Sequence, residues 1–139
     1  MVAKNYSGTV KSDASILLLA NVTLDMVNAK LKLFEILGNN VDERLVQKMT
    51  YYNTYGIEIL EQLNPGDTQS KIHQIFLLGQ FHAKFFSSDK KIQREHTIQA
   101  IESYEKVLLF EDDLSEMSTQ MKLKSQDAKD LLERQIKLM

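Results

Sequence analysis

A single proline, Pro65, stands in the whole chain, inside the turn-forming run Asn64-Pro65-Gly66-Asp67. On both sides of it apolar residues recur at the spacing of an α-helix. Glycine is nearly as scarce, while Leu, Lys, Glu, Gln and Ile are plentiful. A chain this poor in helix breakers, and without alternating apolar and polar runs, has little option but to stack helices.

The punctuation divides it. Ser12 or Asp13 can cap a first helix whose apolar positions are Ile16, Leu19, Ala20, Thr23, Met26, Val27, the stem of Lys30, Leu31 and Phe34. Gly38, followed by Asn39-Asn40, ends it as a left-handed C-terminal residue would. Asn40 with Glu43 three residues on suits a reciprocal cap, so a second helix is expected to start near Val41, with Leu45, Met49, Tyr52, Gly56, Ile59, Leu60 and Leu63 on its stripe. A third is expected over 68–86, through Ile72, Ile75, Phe76, Gly79, Phe81, Ala83 and Phe86. Ser87-Ser88-Asp89 and a polar stretch to Glu95 read as a connection, and a fourth helix over 97–111 shows Ile98, Ile101, Tyr104, Val107 and Leu108. Asp112-Asp113 then cap a fifth through Leu114, Met117, Met121, Ser125, Ala128, Leu131, Leu132 and Ile136. The expectation is an all-α fold of about five antiparallel helices, one domain over 12–139, with residues 1–11 as a mobile tail.

Composition narrows function by exclusion. A net charge of -2 gives no electrostatic ground for binding nucleic acid or an anionic membrane. No cysteine is present, so disulfides and thiolate chemistry are absent. The start of the sequence lacks the apolar core of a signal peptide, and the run from Ile16 to Ala20 is too short to cross a bilayer. The sequons at Asn5 and Asn21 are read as chance tripeptides on that account.

One glycine asks for a reason. Gly79 interrupts IFLLGQFHAKFF (75–86), where glycine costs a helix roughly 1 kcal/mol against alanine. Tetratricopeptide helix pairs carry a Leu-Gly pair on the first helix, and an Ala followed four residues later by an aromatic on the second. Leu78-Gly79 and Ala100 with Tyr104 take those positions. Small residues at Gly79 and Ala100 let two backbones approach, and Tyr104 fills the space beside them. Gly79 and Ala100 stand farther apart than a standard repeat allows, by about nine residues, which assigns 85–95 to a lengthened helix and loop.

The run FLLGQFHAKFFSSDKKIQREHTIQAIESYEKVLLF (76–110) resembles the C-terminal part of the kinesin-binding protein family of tetratricopeptide-like scaffolds. The elements that carry the likeness are His82-Ala83-Lys84, Ser88-Asp89-Lys90-Lys91 and Ala100-Ile101-Glu102-Ser103-Tyr104. Weaker likeness extends upstream through LLLANVTLDMVNAKLKLFEILGNN and downstream through LSEMSTQMKLKSQDAKDLL. What the resemblance implies is a cytoplasmic, cytoskeleton-associated helical module that binds a protein partner, a kinesin motor domain or another microtubule-associated protein.

Chemistry is not advertised. His73, His82 and His96 offer no pair at ligand spacing on one helix face, so no metal or other cofactor is expected. Glu111-Asp112-Asp113 read as a loop cap better than as paired catalytic acids. With no phosphate loop and no nucleophile elbow, the chain reads as a non-enzymatic interaction module without nucleic-acid binding or membrane insertion. Two features are left for a partner. Lys84, Lys90, Lys91 and Arg94 gather around the third connection, as a solvated basic loop or as a patch for an acidic surface. Tyr51 and Tyr55 flank a core Tyr52 and are left for a neighbouring protein or repeat. A structural bundle that self-associates, or packs within a larger complex, is the alternative reading.

Overall fold

The computed structural model describes residues 13–38, 42–110 and 115–138. Within them the chain forms five helices and no strand: α1 Asp13–Leu37, α2 Glu43–Glu61, α3 Thr68–Ala83, α4 Lys90–Leu108 and α5 Glu116–Lys137. The expected tail, the Asn40 cap and the Asp112-Asp113 cap lie outside the described residues.

The starts of α2 to α5 each carry a side-chain acceptor for their orphan amides. Asp42 accepts from the Arg44 amide at 2.8 Å, Asp67 from Ser70 at 2.9 Å and Ser115 from Ser118 at 3.2 Å. At α4, Asp89 accepts from Lys91 and Ile92 at 2.9 and 3.4 Å. Gly38 follows α1 at φ 55°, the left-handed turn expected there. Two caps correct the sequence reading. Asp42 caps α2 in the place expected of Asn40, and the helix begins at Glu43. Ser115 starts α5, after the aspartate pair to which the role was assigned.

The larger correction lies between α3 and α4. α3 ends at Ala83 with Lys84 as its C-cap, short of Phe86. Phe85 and Phe86 leave the helix to pack their rings, Phe85 on His96 at 3.6 Å and Phe86 on Phe34 at 5.1 Å. α4 then begins at Lys90 and not Thr97, because the Asp89 cap is enough to start a helix whose first turns face solvent. A polar stretch shows no apolar period, so it reads as loop in sequence and is helix in space. The extra length beyond a standard repeat therefore extends α4 at its N-terminus.

α3 is the shared middle. On one side Leu77 and Phe81 join Leu17, Ala20, Leu24 and Val27 of α1 and Ile59 and Leu60 of α2. On the other, Ile72 and Phe76 join Ala100, Ile101, Tyr104 and Val107 of α4 and Met121 and Leu132 of α5. The α2–α3 pair runs antiparallel: the Asn53 amide donates to the Lys84 carbonyl, Gly56 faces Phe81, and Gln74 donates to the Leu60 and Leu63 carbonyls.

Candidate functional site

Gly79 sits at a tight crossing. A Cβ built on it would stand 3.0 Å from Tyr104 Cε1 and 3.2 Å from Cδ1 and Cζ. Ala100 is fully buried one turn before Tyr104, and the Tyr104 ring meets Phe76 edge-on at 6.1 Å. Burial pushes the Tyr104 phenol above its ordinary range. The three positions named as packing residues thus meet where α3 and α4 cross. A second crossing escapes the sequence reading, which places Gly56 on a stripe only. A Cβ there would collide with the Phe81 ring.

The basic residues divide. Lys90, Lys91 and Arg94 line an open groove of about 480 Å³ together with Ser87, Gln93 and Leu138. They stand on the first turns of α4 and not on a loop. Gln93 ties the connection to the helix, accepting from the Ser87 amide and donating to the Phe85 carbonyl, both at 2.8 Å. Lys84 is elsewhere: it is the half-buried C-cap of α3, and burial lowers its ammonium below the ordinary value. The tyrosines divide as well. Tyr51 is 65% exposed, whereas Tyr55 is half-buried and packs with Tyr52 against the α1–α2–α3 core. The Tyr51 ring stacks on Tyr55 at 6.4 Å.

Two histidines from different helices form a pair that spacing on one helix cannot reveal. His82 of α3 and His96 of α4 share one hydrogen bond between their Nδ1 atoms, 2.8 Å apart, so one ring donates and the other accepts. Burial, and then the neighbouring His96, hold His82 down to about 4. Burial lowers His96 too, partly offset by Glu95. The Nδ1 atoms are bonded to each other and leave no lone pair convergent on an ion. No group of three possible metal ligands occurs among the described residues.

The broadest exposed feature is α1. Its inner face packs through Leu17, Ala20, Thr23, Leu24 and Val27. Its outer face is also apolar: Leu19, Val22, Met26, Leu33 and Ile36 are 40, 49, 38, 40 and 79% exposed. Leu19 and Met26, assigned to the inward stripe from the sequence, point away from the core. The wider stretch corrects the bilayer argument too, since Asp13–Leu37 holds an 18-residue window of mean hydropathy 1.3, long and apolar enough to cross a membrane. In the fold its inner face is spent on α2 and α3, as in a core helix. The sequence signal for the outer face is the continuation of apolar residues beyond the width that one buried stripe requires.

Comparison with protein-family models, with curated proteins and with solved structures finds no match to this chain.

Proposed function

We propose that this chain is a non-enzymatic protein-interaction module whose main docking surface is the outer face of α1. The observation that carries the reading is the helix's double apolar character: one face is packed and the opposite face, through Leu19, Val22, Met26, Leu33 and Ile36, is left to solvent. Contiguous apolar surface of this kind marks an interaction site in a soluble fold, where isolated exposed apolar residues do not. The groove of Lys90, Lys91 and Arg94 supplies a second, cationic contact on rigid helix, suited to an acidic rim. The resemblance of residues 76–110 to the kinesin-binding protein family makes a kinesin motor domain the first heterologous partner to try.

The test mixes the purified chain with itself and with a purified kinesin motor domain, followed by sedimentation velocity. A complex is expected in at least one mixture and is lost in the double variant Leu19→Glu, Leu33→Glu, with the helical spectrum unchanged because both side chains are exposed. A wild-type chain that stays monomeric and unbound in every mixture overturns the reading.

A further inference from the structure

We infer that the outer face of α1 is occupied by a second copy of this chain, α1 against α1 in antiparallel register; the inference rests on the reading of that face as an interface. Six exposed apolar residues of α1 are spaced as a coiled-coil seam, with the exposed Leu18 beside it on the edge that carries Asp25 and Lys32. Leu19, Met26 and Leu33 recur every seven residues, Val22, Ala29 and Ile36 do the same three residues later, and all are exposed. A repeat of 3.5 residues is the period that keeps two helices in contact along their length when they wind gently around each other. A face that merely met lipid would need no such period.

The seam is self-complementary in one direction. Turned antiparallel, it sets Leu19 against Ile36, Val22 against Leu33 and Met26 against Ala29. The outer layers then pair branched aliphatic side chains, Leu19 with Ile36 and Val22 with Leu33, and the central layer pairs the long, adaptable Met26 with the smallest residue, Ala29. In a parallel pair Ala29 would face Ala29 and leave a void. The flanking charges agree. Asp25 and Lys32 are exposed on the same edge of the seam, about 10 Å apart along the helix and too far to pair with each other. Neither is in an ion pair in the described chain, where the salt bridge is Lys129 with Glu133. In the antiparallel pair Asp25 of each copy lies beside Lys32 of the other, so the twofold axis makes the contact twice. A membrane surface fits worse, because Asp25 and Glu35 flank the face where an interfacial helix carries mostly Lys and Arg.

The chain contains no cysteine, which makes crosslinking clean. Two single variants, Met26→Cys and Ala29→Cys, are prepared and oxidised separately and as a mixture. The expected result is a disulfide-linked dimer chiefly in the mixture, with sedimentation velocity showing a concentration-dependent dimer for the wild type and a monomer for Leu19→Glu, Leu33→Glu. Asp25→Lys should weaken the dimer several-fold, and Asp25→Lys with Lys32→Asp should restore it. Crosslinking of Ala29→Cys by itself, with no species in the mixture that joins a Met26→Cys chain to an Ala29→Cys chain by mass, overturns the register in favour of a parallel pair. A wild type that is monomeric at every concentration overturns the dimer. If that monomer still binds the motor domain through this face, the interaction reading stands without the second copy. If it binds neither the motor domain nor itself, and instead floats with phosphatidylcholine–phosphatidylserine vesicles, both fall.

Discussion

The histidine pair makes acid stability a property of a few atoms. In the unfolded chain His82 takes up its proton near 6.5, whereas in the fold burial and His96 hold it neutral down to about 4. Between those values the unfolded state binds more protons than the native one, so stability is full above pH 6.5 and falls as the pH drops toward 4. His73 and His96 are lowered by burial as well and act in the same direction. The His82 part of the loss is at most about 3 kcal/mol. Urea midpoints measured across that window should slope steeply for the parent and less for His82→Leu; equal slopes would place the acid sensitivity elsewhere. The glycines give a second residue-scale prediction. Gly56→Ala puts a methyl into the Phe81 ring and should cost about 2 kcal/mol, as overpacking of a close crossing does. Phe81→Leu in the same chain should relieve part of that cost, because neighbouring sites couple. Gly79→Leu should destabilise similarly against Tyr104, and unchanged denaturant midpoints would refute both crossings.

At the scale of elements, the existence and order of the helices are legible in the sequence because each carries an apolar stripe and the breaks between them hold Gly38, the turn at 64–67 or a capping Asp or Ser. The start of α4 is not legible. Its first turns, Lys90 to Glu95, turn only the polar Gln93 toward the protein before His96 and Thr97, so no apolar period announces them. The signal present is Asp89, an N-cap without the apolar run that would confirm it. Asp89→Ala should cost about 1 kcal/mol and speed amide exchange in the first turn of α4. Protection unchanged there would mean that Gln93 holds the turn alone. The site follows the same rule. Gly79, Ala100 and Tyr104 are readable because a spaced motif names them, but the His82–His96 contact and the outward turn of Leu19 and Met26 depend on how helices meet, which no single-helix period encodes. Placing Lys90 and Lys91 on a helix start also changes what their reversal does. Acidic residues suit a helix N-terminus better than basic ones, so Lys90→Glu with Lys91→Glu should leave the thermal midpoint unchanged or slightly raised. Association with an acidic partner should meanwhile slow, and its salt dependence should weaken. Unaltered association rates would show the groove to be solvated surface only.

For the whole molecule the decisive fact is that α3 belongs to both cores. Ile72 and Phe76 face α4 and α5, while Leu77 and Phe81 face α1 and α2. In a helical stack whose units touch only their neighbours, damage at one end can remain local. Here the helix that closes one core also closes the other, so the two should open together. Ile72→Ala tests this, because Ile72 is fully buried as a member of the α3–α4–α5 core and not of the α1–α2–α3 core. The truncation should cost about 2–5 kcal/mol, depending on how far the site collapses. If α3 couples the cores, slowly exchanging amides of α1 and α2 lose as much protection as those of α4 and α5, and circular dichroism and tyrosine fluorescence report one transition. Loss of protection confined to α4 and α5 would instead describe two independently stable units. The outer face of α1 would then have to act without support from the far half of the molecule.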